Sequence, residues 1–526
     1  MAGAAPLECP PMAQMAPMAI RAMPGRGMVG LWLAFAAVCA SGCTYVNQPL
    51  NTPGVQFERR ARNHTRAVTG VTVTPTDSRS EQRVHAPERS DGNASSGAAI
   101  REQAASAFGA DVNPDVRRDG CFVGLALSGG GSRSANFSAA CMFQLQRLGV
   151  LEHVDYISSV SGGSLTAAYY CLFADGPGGW NPGRVQRKLT HSFASDLICR
   201  TISPWNWPAL WFSDLDRSDL LAGVFTETLF NEKGRTLNFG DLRPDRPRLL
   251  INATDLQSGR RFVFCNETFD ELNSDLSKYP ISQAVAASAA VPVVMHHVTL
   301  RDFSTTFKQY RHLIDGGVVD NLGVQSLVET YTAQVKAAAD AGRPDPYPLG
   351  AVLIVLDART EFDAKLSNRG DISFLESLST GAALTSTALL NRVSSATLAD
   401  LIVRNAADDM TAKQLRDAIA RLERGGSLTV RTRDGKPVRV LHLSLARVND
   451  LSTLPSHGFR EQVNSISTYF NIDSTEAYSL YQAAELLVRE RFETELLELK
   501  RRLETGRDVA ETQPVREGVR EPAPAR

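Results

Sequence analysis

The chain has 526 residues, of which 43% are hydrophobic and 21% are charged, a balance typical of globular proteins with a large apolar core. Its formal net charge is -1, and no block of lysines or arginines stands out along it. This charge pattern excludes a broadly basic, nucleic-acid-binding surface, so we expect no nucleic-acid partner.

Residues 1–42 have the features of a signal peptide. Arg21 and Arg26 precede an apolar stretch, residues 28–40. A bilayer span needs about 20 residues, so this stretch is too short to cross a membrane but suits a signal-peptide core. It ends in small residues followed by Cys43, which resembles a bacterial lipoprotein cleavage site. The resemblance implies cleavage before Cys43 and lipid attached to it. The alternative is an ordinary secretory signal in which Cys43 is incidental.

Two segments are predicted to lack a packed core. Residues 43–118 contain many small and polar residues and few large apolar ones, so they cannot bury enough surface to offset the loss of chain entropy. We predict a flexible tether there. Residues 507–526 are rich in proline, glutamate and arginine and are predicted to form a disordered tail.

The remaining elements predict an α/β fold. Short apolar runs indicate buried strands, and stretches with helical spacing of apolar residues follow the first two of them. The predicted strands cover residues 121–127, 156–160 and 350–356, and the helices residues 136–148, 165–173, 281–290, 374–422 and 474–503. Two hairpins are predicted, over residues 248–265 and 428–445. Strand–turn–helix repeated twice favours a layered fold with a central, mostly parallel sheet flanked by helices. We place the main α/β domain at residues 119–360 and a mainly helical extension with one hairpin at residues 361–506.

Ser161 lies between the predicted strand over residues 156–160 and the helix that follows it. The turn has a small residue two positions before the serine and Gly163 two positions after it. Such a turn presents the serine oxygen at the carboxyl end of a sheet, where it can act as a nucleophile. Alone, the pattern also fits a serine that caps a helix.

Gly129, Gly130 and Gly131 follow the first predicted strand. Consecutive glycines can direct several backbone N–H groups into one concavity, which binds phosphate or stabilises an oxyanion. The run has no Gly-Lys-Ser/Thr ending, and Ser134 stands where a dinucleotide-binding loop has its third glycine, so both nucleotide motifs are absent. For Arg133 we expect either a contact with substrate phosphate or a structural ion pair.

Asp315 precedes Gly316 and Gly317 and follows a short apolar run. An aspartate before two glycines is also a common turn residue. It gains weight as a catalytic base only in combination with the serine turn and the glycine run.

With these motifs in place, the chain resembles the patatin-like phospholipase family over roughly residues 121–327. Residues 287–292 and Asp320-Asn321 are weaker matches to the same family. The resemblance implies a three-layer patatin-like fold with additional C-terminal helices. It also implies a Ser161–Asp315 dyad, in which Ser161 is the nucleophile and Asp315 the general base, with an oxyanion hole formed by Gly129, Gly130 and Gly131.

We therefore expect a serine hydrolase that cleaves fatty-acyl esters of lipids or phospholipids. Its partners would be its lipid substrate and a membrane surface, and its expected location is the bacterial cell envelope, lipid-anchored at the outer membrane and facing the periplasm. We expect no cofactor and no metal site. The sequence does not predict the oligomeric state.

Two alternatives remain open. One is a catalytically silent lipid-binding protein, because Ser159 replaces the glycine usual in the family. The other is a Ser–Asp–His esterase, for which His442 or His457 would supply the histidine. Separately, the four tryptophans at positions 180, 205, 207 and 211 predict either a membrane-docking surface or a small satellite core.

Overall fold

A computed structural model describes residues 49–54, 119–174, 176, 179–203, 216–243, 245–292, 294–305, 308–360, 412–423, 425–431 and 436–505. The predicted signal peptide, Cys43, nearly all of the tether, the tail and the three tryptophans at positions 205–211 lie outside these residues. So does most of the helical region predicted over residues 374–422.

Eleven strands are found in the described part of the chain. They are β1 (Phe122–Leu127), β2 (Tyr156–Val160), β3 (Asn231–Glu232), β4 (Arg235–Thr236), β5 (Arg248–Asp255), β6 (Arg260–Phe264), β7 (Val298–Asp302), β8 (Gln309–Asp315), β9 (Ala351–Asp357), β10 (Gly426–Arg431) and β11 (Pro437–Ser444).

The α-helices in the described residues separate and follow these strands. They are α1 (Gly131–Arg147), α2 (Gly162–Phe173), α3 (Pro182–Leu189), α4 (Phe193–Ile202), α5 (Arg217–Thr228), α6 (Asn266–Glu271), α7 (Ile281–Ser288), α8 (Gly317–Asp320), α9 (Val324–Asp340), α10 (Ala412–Glu423), α11 (Phe459–Asn464), α12 (Ser474–Leu487) and α13 (Glu493–Thr505). A π-helical turn, Val488–Phe492, joins the last two.

One large sheet organises the protein. Its strand order is β10-β11-β9-β1-β2-β5-β8-β7, and β6 pairs with β5. The five central strands, from β11 to β5, are parallel to one another, and the strands at the edges are antiparallel. Every residue of β1, β2 and β9 is buried, as expected for parallel strands covered on both faces.

Helices cover both faces of the sheet, which gives the predicted three-layer α/β architecture. On one face α1, α2, α7 and the C-terminal helices pack into a large apolar core. On the other face α9 packs over a smaller cluster that contains Phe122, Tyr156 and Tyr347. No helix in the described ranges is long and apolar enough to cross a membrane.

The predicted strands and both hairpins are present with small shifts of their ends. Two findings go beyond the sequence patterns. The hairpin of β10 and β11 extends the central sheet, because β11 pairs in parallel with β9. Helix α1 begins at Gly131, five residues before the predicted start, so Ser132 and Arg133 lie in its first turn. The polar residues of this turn are buried, so helical spacing of apolar residues did not reveal it.

Candidate active site

Ser161 occupies a strained turn between β2 and α2. Its φ is 49° and its ψ is −123°, a backbone conformation that non-glycine residues rarely adopt. The side chain is nearly buried, with 5% of the residue exposed. The next residue, Gly162, approaches the glycine run so closely that a Cβ there would overlap the carbonyl oxygen of Gly131. The turn therefore holds Ser161 directly beside the glycine run.

Asp315 reaches Ser161 because of the strand pairing. The last residue of β2, Val160, pairs with Asn252 of β5, and the next residue of β5, Ala253, pairs with Asp315 of β8. Strand β8 therefore pairs with β5 directly beyond the residues of β5 that pair with β2. The Ser161 hydroxyl lies near enough to the Asp315 carboxylate to interact with it and to lower its pKa.

The surroundings of Asp315 make it a stronger base than an ordinary aspartate. Burial raises the pKa of Asp315 from 3.8 to about 6, while hydrogen bonds from the Gly317 N–H and from Ser161 act in the opposite direction. The Gly317 N–H lies 2.7 Å from the Asp315 Oδ1 atom. At neutral pH the carboxylate is ionised and can accept a proton from the serine hydroxyl.

The glycine run lies at the start of α1, next to Ser161. Gly130 has a φ of 135° and Gly131 a φ of 55°, so both residues adopt conformations that favour glycine. One expectation needs correction. The Gly129 N–H donates to the Asn321 carbonyl at 2.9 Å and is not directed at a substrate. Gly130 and Gly131, at the N-terminus of a 17-residue helix, remain the candidate oxyanion donors.

Arg133 is buried and contacts the C-terminal part of the chain. Its Nη1 atom lies 2.9 Å from the Ile466 carbonyl and 3.3 Å from the Thr360 hydroxyl. The guanidinium therefore has a structural role, and because these two partners are neutral oxygens, the expected ion pair stays a prediction. Its contact with substrate phosphate stays a prediction.

Sequence reasoning missed a segment that we call the C-terminal strap, residues 466–471. Its Tyr469 carbonyl accepts the Ser132 N–H at 3.2 Å, in the first turn of α1. Its Thr468 carbonyl lies against Gly131, where a Cβ would overlap it. The Phe470 ring packs against Phe225, with ring centroids 5.8 Å apart. Most of these contacts use backbone carbonyls, so the side-chain pattern of the strap offered no signal.

The two histidines of the esterase alternative lie away from the Ser–Asp pair. His442 is buried in β11, three strands from β2, which corresponds to a lateral separation of roughly 14 Å at the usual strand spacing. Its Nε2 atom lies 3.0 Å from the Asp357 carboxylate, and its Nδ1 atom contacts the Leu422 carbonyl. His457 is exposed in a loop. The geometry therefore does not support a Ser–Asp–His triad.

Ser159 fits its position in β2. It is fully buried, and its hydroxyl lies 3.4 Å from the Leu250 carbonyl in the neighbouring strand. Asn252 donates to the Ser159 carbonyl at 2.9 Å. The serine that replaces the usual glycine is thus accommodated by the strand without displacing the turn at Ser161.

Comparison with models of known protein families gave a match to one family. The model of patatin-like phospholipases matches residues 125–328, which include Ser161, Asp315 and the glycine run. A search of curated proteins found no match.

Solved structures provide more distant matches. Human GIVD cytosolic phospholipase A2 matches with a TM-score of 0.43 and 12% identity, over 78% of this chain and 64% of its own. VipD from Legionella pneumophila matches with a TM-score of 0.25 and 14% identity, over 70% of this chain and 67% of its own. The match thus spans less than two thirds of the human protein.

Proposed function

We propose that this protein is a serine acyl hydrolase acting on fatty-acyl esters of lipids or phospholipids, because the family model of patatin-like phospholipases matches residues 125–328. One observation carries the proposal: the pairing of β2 and β8 with β5 brings the buried Asp315 carboxylate beside the hydroxyl of Ser161, next to a glycine-rich helix N-terminus. A nucleophile, a base and candidate oxyanion donors are the groups that acyl transfer needs.

The reaction follows from this arrangement in two halves. The Ser161 oxygen attacks the ester carbonyl carbon while its proton passes to Asp315, and the N–H groups of Gly130 and Gly131 hold the oxyanion. The tetrahedral intermediate collapses, the acyl–oxygen bond of the ester breaks, and the departing alcohol takes the proton from Asp315. Water then attacks the acyl-enzyme and gives its proton to Asp315. Ser161 leaves the acyl carbon, regains the proton, and the fatty acid is released.

A fluorophosphonate probe tests the proposal directly, because it labels only an activated serine. The purified protein, Ser161→Ala and Asp315→Ala would each be treated, and the labelled peptide mapped by mass spectrometry. Labelling at Ser161, absent in Ser161→Ala and much slower in Asp315→Ala, is the expected result. Ser138→Ala is a matched control, since Ser138 is fully buried in α1 and lies outside the dyad. A folded protein that stays unlabelled would support the catalytically silent, lipid-binding alternative.

The location is a separate part of the proposal. We place the protein in the bacterial cell envelope, anchored by lipid on Cys43 at the outer membrane and facing the periplasm. The support is the sequence of residues 21–43 alone. Incorporation of labelled fatty acid into the wild type but not into Cys43→Ser would agree with it, and equal incorporation would contradict it.

A further inference from the structure

The C-terminal end of α7 contacts both members of the Ser–Asp pair. All residues of this helix are buried, and Ser288, Ala289 and Ala290 at its end have no exposed surface. We call residues 288–290 the dyad bracket. They belong to residues 287–292, one of the two weaker matches to the patatin-like family. The reaction described above gives these residues no role.

On the nucleophile side, the bracket holds the backbone of Ser161. The Ser161 N–H donates to the Ser288 hydroxyl oxygen at 2.8 Å. The same hydroxyl donates its own hydrogen to the Asn252 carbonyl at 2.6 Å. Its hydrogen is thereby committed to Asn252, so its oxygen accepts from the Ser161 N–H and, at 3.3 Å, from the Ser164 hydroxyl.

On the base side, the bracket holds the backbone of Asp315 through carbonyl groups. The Asp315 N–H donates to the Ala290 carbonyl at 2.9 Å, and the Gly316 N–H donates to the Ser288 carbonyl at 3.2 Å. One rigid turn therefore binds the main chain of the nucleophile by a side chain and the main chain of the base by backbone groups.

We propose that Ser288 is a positioning residue that sets the distance between the Ser161 oxygen and the Asp315 carboxylate. This inference rests on the proposed function. The backbone contacts of the bracket fix Asp315 whatever side chain stands at position 288. The hydroxyl of Ser288 connects the bracket to the Ser161 N–H, so its loss frees the nucleophile while the base stays in place.

The strain at Ser161 gives this hydrogen bond its importance. The turn has a positive φ at a non-glycine residue, and such a conformation persists only where its surroundings hold it. Without Ser288 the Ser161 N–H would be buried without its acceptor, and the turn would relax. A displacement of about 1 Å between reacting groups can lower a rate by about 100-fold.

The primary test is Ser288→Ala in the full chain, assayed on a soluble short-chain ester with active sites counted by fluorophosphonate titration. We expect kcat per active site to fall by about 100-fold with little change in KM. The acid limb of the pH–rate profile should also move to higher pH, because the hydrogen bond from Ser161 lowers the pKa of Asp315. A purely structural serine would reduce the number of active sites but leave both quantities unchanged, and that result would overturn the proposal.

Two further variants separate the hydroxyl from side-chain volume. Ser288→Thr keeps a hydroxyl and Ser288→Val has the same shape as threonine without one, so we expect higher kcat for the threonine variant. Equal values would overturn the positioning role. Ser138→Ala, another fully buried serine, controls for the general effect of the substitution and should retain wild-type kcat. If the wild type itself is not labelled by fluorophosphonate, the proposed function fails and this inference fails with it. If the wild type is labelled and Ser288→Ala keeps the wild-type kcat and pH–rate profile, only this inference is overturned.

Discussion

Replacing Asp315 by asparagine should greatly lower kcat and, at the same time, stabilise the protein at alkaline pH. The substitution removes the negative charge while preserving size and shape. The asparagine oxygen can still accept the Gly317 N–H, and its amide can donate to the Ser161 oxygen. Without the base, kcat should fall by roughly 100-fold to 10,000-fold.

The size of the stability change follows from the pKa of Asp315. Burial raises this pKa from 3.8 to about 6, so the folded protein binds the proton more tightly than the unfolded chain. The resulting stability is fully present below the unfolded pKa, decreases between the two values, and is lost above about pH 6. A shift of about 2 units corresponds to about 3 kcal/mol of unfavourable free energy at pH 8. The neutral amide of the Asp315→Asn variant would carry no such penalty.

Urea unfolding of the wild type and Asp315→Asn at two pH values measures the effect. We expect Asp315→Asn to gain up to about 3 kcal/mol at pH 8 but only about 1 kcal/mol at pH 4.5, where the folded wild type is largely protonated. Asp417→Asn, the same carboxylate-to-amide change in α10, is the control for the substitution itself. An equal change at both pH values, or a loss of stability at pH 8, would refute the assignment of Asp315 as a buried, raised-pKa carboxylate.

Three other predictions concern the catalytic base, the glycine run and a buried ion-pair cluster at the end of β9. In the wild type, kcat/KM on a soluble ester should decrease below about pH 6 as Asp315 takes up a proton; an acid limb near pH 4 would contradict the burial argument. Gly131→Ala should abolish activity and destabilise the fold, because its Cβ would overlap the Thr468 carbonyl. Gly342→Ala is the control, since Gly342 has a similar φ of 62° and open space around it. The control should lose only about 1–2 kcal/mol of stability in urea unfolding and keep full activity. Asp357→Ala should lower the stability at pH 7 by about 3–5 kcal/mol, because it removes the buried carboxylate that lies 3.1 Å from Arg359 and 3.0 Å from His442. A loss below about 1 kcal/mol in calorimetry would show that these two contacts contribute little to stability.

The sequence predicted the parts of the site that local chain geometry marks. Ser161 and Asp315 each lie at a strand end next to glycines, and the close approaches at Gly131 and Gly162 explain why glycine is needed there. Apolar runs predicted the central strands because parallel strands are buried on both faces. The two hairpins could be predicted from their turn residues, but their place in the sheet could not, since pairing partners are distant along the chain.

What the sequence did not reveal depends on backbone groups that meet from distant parts of the chain. The Gly129 N–H is taken by the Asn321 carbonyl, and the Ser132 N–H by the Tyr469 carbonyl. Any residue supplies these carbonyls, so no side-chain pattern predicts them. Likewise, residues 287–292 form only a weak motif in the sequence. The contact of Ser288 with Ser161 joins distant parts of the chain, so the sequence pattern does not predict it.

The sheet has a practical consequence for dissecting this protein. The family match ends at residue 328, yet β1 is paired along its whole length with β9, and β9 in turn with β11. A fragment cut at the family boundary would leave one side of β1 unpaired, exposing an apolar strand edge that promotes aggregation. It would also remove the carbonyl groups that hold the first turn of α1. Fragments designed for crystallisation or for isolated expression should therefore extend through α13, to residue 505.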